Sequence, residues 1–73
     1  MQKELLKKTI RQKGMSVTFV AKKLGITRET FYNRMEKGNF RASEIVALAD
    51  VLSLNQDEKE QIFFAPFSEL NSH

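Results

Sequence analysis

The sequence predicts an all-α domain of five short helices with no sheet. Apolar residues recur at helical spacing along the chain, and no strand-like alternation is found. Gly14, Gly25 and Gly38 close three of these segments, as glycine does at helix C-termini. Ser16, Thr27 and Asn55 stand just before others, where a side-chain oxygen accepts from a free N–H of the first turn. With 73 residues the chain forms one small domain that buries about 60% of its unfolded surface.

The first helix spans residues 2–13, with Leu5, Leu6, Thr9 and Ile10 on one face and Gly14 as its stop. Ser16 caps the second, whose small inner side is Val17, Val20, Ala21 and Leu24 before Gly25. Thr27 caps the third. Glu29 lies at the positive end of its dipole, Phe31 and Met35 point inward, and Gly38 terminates it. Residues 39–42 form a connecting loop. Residues 43–53 carry Ile45, Leu48, Ala49 and Leu52 in the cleanest amphipathic pattern of the chain. Asn55 and Glu58 make a capping-box-like start for a fifth helix over 56–64, which Pro66 closes. The domain is expected to occupy 1–66, with 67–73 as a frayed tail.

Composition narrows the chemistry. There is no Cys, and His73 is the single His, which leaves no disulfide and no thiolate zinc site. There is no Gly-rich phosphate loop, the acids of the fifth helix are explained by its N-terminus, and a chain this short has little room for a cleft. No catalytic residue, metal ligand, cofactor or small-molecule ligand is expected. The first ten residues lack the apolar core of a signal peptide, and no apolar run nears the ~20 residues that span a bilayer. The expected setting is the bacterial cytoplasm, with no membrane partner. The starting Met and the tapering at Pro66 favour a self-contained short protein.

Charge is split along the chain. Residues 1–41 hold eleven Lys/Arg against three acids, a net +8, and residues 42–73 hold one Lys against six acids, a net −5. If the halves stay apart in space, the basic half can steer toward a polyanion and release counterions on contact. The division falls just after residues 16–38, which read as two short helices across the turn Gly25-Ile26-Thr27. A helix pair crossing steeply over such a turn is a helix-turn-helix, and its second helix can enter the DNA major groove.

The stretches VAKKLGITRETFYNRMEKG, SEIVALADVLSL and EQIFFA, together spanning most of residues 3–64, resemble the lambda-repressor-like DNA-binding family, the Cro and phage-repressor group. They look most like short phage and prophage regulators of Gram-positive bacteria. The resemblance implies a compact five-helix domain with the helix-turn-helix in helices 2 and 3. It also implies a sequence-specific transcriptional regulator or repressor that binds double-stranded DNA as a homodimer on a two-half-site operator. Two features depart from that family. Its Gln after the cap of helix 2 is Val17 here, and the members of its buried ion pair align with Ile10 and Met35. Replacing both partners by packed apolar groups is tolerated where losing one is not, so Ile10 and Met35 are expected to touch.

By the same resemblance the base-reading residues are Arg28, Glu29, Tyr32 and Asn33. Arg28 suits guanine O6/N7, Asn33 suits adenine N6/N7, and Glu29 suits cytosine N4. Glu29 is equally explained as a dipole partner, and Tyr32 as an exposed aromatic that shields its helix. Contacts to the DNA backbone fall to Ser16, Thr18, Thr27, Arg34, Lys37, Asn39 and Arg41. Lys22 and Lys23 read as solvated charge, and Lys3, Lys7, Lys8 and Arg11 as long-range potential with one contact at most. Phe63, Phe64 and Phe67 either complete the core or meet a second copy, one arrangement being Phe64 buried and Phe67 shared. The competing function is a protein-binding module of the same fold, such as an antitoxin-like or anti-repressor partner.

Overall fold

The computed structural model describes residues 1–64. They form α1 (Lys3–Gln12), α2 (Val17–Leu24), α3 (Arg28–Lys37), α4 (Ala42–Val51) and α5 (Gln56–Lys59), which runs on into a π turn, Glu60–Phe64. No strand occurs among the described residues. Pro66 and the tail from 67 onward lie outside them.

The helix boundaries follow the capping chemistry. Ser16 Oγ accepts from the N–H of Phe19, and Thr27 Oγ1 accepts from the N–H of Thr30, both at 3.1 Å. Asn55 and Glu58 exchange hydrogen bonds at 2.8 and 3.0 Å, a full capping box at the start of α5. Gly25 takes φ 77° after α2, letting the N–H groups of Gly25 and Ile26 reach the carbonyls of Lys22 and Ala21. A methyl group there would meet no atom within 4 Å, so the demand for glycine at this turn is conformational rather than spatial. Ser53 does the same work after α4 at φ 52° without being a glycine, and α4 therefore stops at Val51.

The core draws on α1 to α4 and on the π turn that follows α5. Leu6 and Ile10 come from α1, Val20 and Ala21 from α2, Phe31 and Met35 from α3, Leu48 from α4, and Ile62 and Phe63 from the π turn, with Leu52 just past α4. Ile10 and Met35 are each 1% exposed within this one core. Thr9 is buried as well, its hydroxyl donating to the Leu5 carbonyl at 2.8 Å. Of the apolar stripe expected on α4, Leu48 and Leu52 are buried, whereas Ile45 and Ala49 are half-buried.

Three features differ from the sequence reading. Phe40, expected in a connecting loop, is buried, and its ring meets Phe31 edge-on at 5.2 Å and 63°. Glu44 is buried too: its carboxylate accepts from Arg34 Nε at 2.9 Å and from the Arg41 N–H at 2.8 Å. This ties α3 to the first turn of α4. Finally, α5 does not run as a regular helix to residue 64. A π turn carries an extra residue per turn, and consecutive Ile62 and Phe63 both face the core while Phe64 turns out to 47% exposure. The arrangement with Phe64 buried is thereby corrected, and Phe63, 9% exposed, is core rather than an available contact. Phe67 lies outside the described residues.

Truncating Phe31 should cost about 3–5 kcal/mol, a large share of the whole stability of so small a domain. Phe40→Ala should follow closely despite its loop position, and urea denaturation of the two variants checks this. Acid should act through two surface carboxylates, Glu36 exposed and Glu58 half-buried. Lys3 Nζ donates to Glu36 at 2.7 Å and holds that carboxyl below its ordinary 4.5; the Asn55 N–H, with help from Lys13, does the same for Glu58. A carboxyl lowered on folding stabilises the fold above its unfolded value, and that contribution is lost as pH falls through the folded value. Melting temperature should therefore drop on acidification below about pH 4.5. In Glu36→Gln and Glu58→Gln the drop should be shallower, and an unchanged slope would show that these contacts contribute nothing.

Candidate nucleic-acid interface

Helix α3 divides its residues by face. Phe31 and Met35 anchor it in the core, and Arg34 leans onto α4 through Glu44. Glu29, Asn33 and Lys37 are left exposed, four residues apart, in a stripe along the outer side. Glu36 shares that side, and its negative charge is met by Lys3 of α1. Thr27, at the start of the helix, is exposed but occupied: its hydroxyl caps the helix and donates to the Thr30 hydroxyl at 2.9 Å.

Arg28 and Tyr32 lie on the flank of α3 rather than with the outer stripe. The Arg28 guanidinium stands 5.4 Å from the centroid of the Tyr32 ring, a cation–π contact between residues one turn apart. Tyr32 is half-buried and packed against the core. Both border a cleft of about 260 Å³ together with Lys7 and Arg11 of α1 and Ser16, Val17 and Thr18 at the start of α2. Three cationic side chains and a helix N-terminus thus open on one space. That is the composition an anionic oxygen group requires. Val17 contributes apolar wall to the cleft, and the polar contact a Gln would give is absent.

On the other side of α3, Gly38 turns the chain at φ 65° and Phe40 plugs the loop into the core. Asn39 and Arg41, on either side of Phe40, are exposed beside Lys37. The outer stripe is therefore bracketed by two cationic groups, the cleft of α1 and α2 and the 37–41 turn. Lys22 and Lys23 are exposed on the outer side of α2, with the Lys23 ammonium 5.3 Å from the Phe19 ring centroid.

The sequence reading set Arg28 and Tyr32 with the base-reading residues, Ser16 and Thr18 with the backbone contacts, and Lys7 and Arg11 with the long-range potential; the structure brings all six to one cleft. The signal for Lys7 and Arg11 was present in the sequence: the two are four apart in α1 and flank the buried Ile10. Arg34, expected on the DNA backbone, has its Nε engaged by Glu44 and braces α3 against α4. Among the described residues no group of three or more His, Cys, Asp or Glu is placed to hold a metal ion, and no helix is long and apolar enough to cross a membrane.

The family model for bacterial regulatory proteins of the Fis family matches residues 1–38. This covers α1, α2 and α3, just over half of the chain, and the protein belongs to that family. The match overturns the resemblance to the lambda-repressor-like group, which rested on the stretches VAKKLGITRETFYNRMEKG, SEIVALADVLSL and EQIFFA. Within the first of these, the small residue at the crossing and the glycine turn are demands of any helix-turn-helix. The departures at Val17, Ile10 and Met35 were the positions where that resemblance already failed. No curated protein and no solved structure matches the chain. The chain is a helix-turn-helix DNA-binding regulatory protein.

Proposed function

We propose that this Fis-family regulator recognises a specific double-stranded DNA sequence by laying α3 in the major groove. The observation that carries the reading is the bracketed stripe on α3: exposed Glu29 and Asn33 between a cationic cleft and a cationic turn. Asn33 reads adenine through N6 and N7, and Glu29 accepts from cytosine N4. Arg28, steadied over Tyr32 at the cleft, reaches the strand on that side and a guanine edge beside it.

Backbone contacts come from both brackets. Ser16 and Thr18 offer the start of α2, with Lys7 and Arg11 supplying charge across the cleft. Lys37, Asn39 and Arg41 grip the phosphates at the far end of α3, and Arg34 holds that end onto α4. The Lys3–Glu36 pair has an electrostatic role as well. It cancels a carboxylate that would otherwise face phosphate. Two copies on one operator supply two half-sites, and Phe64 is one of the exposed apolar residues, with Phe19 and Val46, available for their contact. The protein acts in the bacterial cytoplasm as a regulator without enzymatic activity.

Selection of bound duplexes from a random pool should return a defined half-site. Asn33→Ala should cost about 1–3 kcal/mol on that site and relax preference at one base pair. Lys37→Ala and Arg11→Ala should weaken all sequences alike and each reduce the slope of log K against log salt by about one. Lys3→Ala should weaken binding through the Glu36 charge it exposes, and Lys3→Ala/Glu36→Gln should restore it. Duplex binding no better than that of a charge-matched control protein would defeat the reading, and would favour a protein partner for the basic face.

A further inference from the structure

We propose that Glu44 is a positioning residue for DNA binding, holding one edge of Arg34 so that the other edge grips a backbone phosphate beside the 37–41 turn. Resting on the DNA reading, this role falls to a residue outside the stretch 1–38 that the family model matches. The Glu44 carboxylate is buried and accepts from Arg34 Nε at 2.9 Å and from the Arg41 N–H at 2.8 Å. Among the described residues Arg34 makes no other side-chain hydrogen bond, and no buried side-chain nitrogen or oxygen is left without a partner. The terminal Nη groups of Arg34 are therefore open to solvent, on a side chain that keeps 20% of its surface exposed. A guanidinium carries its N–H donors in a planar fork. With Nε taken, the Nη edge can still donate to a phosphate oxygen.

Stability alone does not call for a carboxylate here. The Arg41 N–H at the start of α4 needs an acceptor, but a neutral Gln at 44 would supply one, as in any capping box. A buried ion pair adds little over packed apolar groups of similar volume. What the carboxylate does, and those alternatives do not, is fix the guanidinium against the turn. The Asn39 N–H donates to the Arg34 carbonyl at 3.1 Å, so the main chain and the side chain of Arg34 both hold that turn. Lys37, Asn39 and Arg41 are exposed around it. The Nη groups thus open at the same end of α3 as the residues that meet the phosphates in the DNA reading. By charge alone a carboxylate placed there works against DNA binding, so the sign of its effect separates the two roles.

The test is titration of a labelled duplex, recovered by selection, with the full chain over a range of salt. Glu44→Gln keeps an acceptor for the Arg41 N–H but releases Arg34. It should weaken binding several-fold, although it removes a negative charge beside phosphate. Tighter binding by Glu44→Gln would show that the carboxylate acts only as a repelling charge, and the proposal fails. Arg34→Lys keeps the charge in one compact ammonium that cannot present two edges. It should weaken binding as well, while melting close to the unaltered chain. Arg34→Met/Glu44→Gln leaves no buried charge unpaired and should take about one unit from the slope of log K against log salt. Each titration is run well below the variant's melting temperature by circular dichroism, so that loss of folded protein does not enter the affinities. An unchanged slope in the double variant, or Arg34→Lys binding as the unaltered chain does, also overturns the proposal. If the unaltered chain binds duplex no better than a charge-matched control, the DNA reading falls and this role with it. If it binds and the variants bind alike, only the role of Glu44 falls.

Discussion

Phe31 occupies the point where three requirements of α3 meet. A ten-residue helix that must expose one side to a partner has only its other side to hold it in place. Phe31 and Met35 are the residues of α3 buried in the core, and Phe40 closes over Phe31 from the following loop. The loop is therefore anchored at Phe40, with Lys37, Asn39 and Arg41 exposed around that anchor. On the other flank, Arg34 meets Glu44, so α4 limits rotation of α3 about its own axis. Packing thus decides where polar residues point, and chemistry acts only after geometry has been settled.

Charge is arranged on that frame with some economy. The basic half of the chain is not uniformly available. Lys3, Lys7, Lys13 and Arg34 each have an acidic partner within 4 Å. Exposed pairs such as Lys7–Glu4 contribute little to stability. Their effect is to place cations without piling up repulsion in a small fold. Arg28 is handled differently, by an aromatic face that orients a guanidinium while leaving its N–H groups free to donate.

Much of the fold was legible in the sequence because its signals are local. Ser16, Thr27, Asn55, Gly25 and Gly38 act within four residues of themselves, and each does what its type dictates. Glu44 was not legible, since its partner Arg34 stands ten positions earlier and becomes a neighbour only when α3 folds back onto α4. Phe40 was missed for the same reason: nothing local distinguishes a loop aromatic that is buried from one that is exposed. Ser53 takes a glycine's conformation with a side chain attached, which composition does not reveal. Of the four residues of α3 read as facing outward together, Glu29 and Asn33 share the outer stripe, whereas Arg28 and Tyr32 lie on the flank beside the cleft, a placement set by α1 and α2 and not by spacing within α3.

Family membership was harder to read than fold, and the reason is physical. Ala21 is buried where α2 packs, and the left-handed turn needs Gly25; both follow from bringing two helices together over a short turn. Any lineage that uses this geometry must meet the same two constraints, so they identify the motif and not the ancestry. Ancestry is carried by residues the motif leaves free. The first helix belongs with the two that follow it: it lines the cleft beside α3, and the family match begins with it at residue 1.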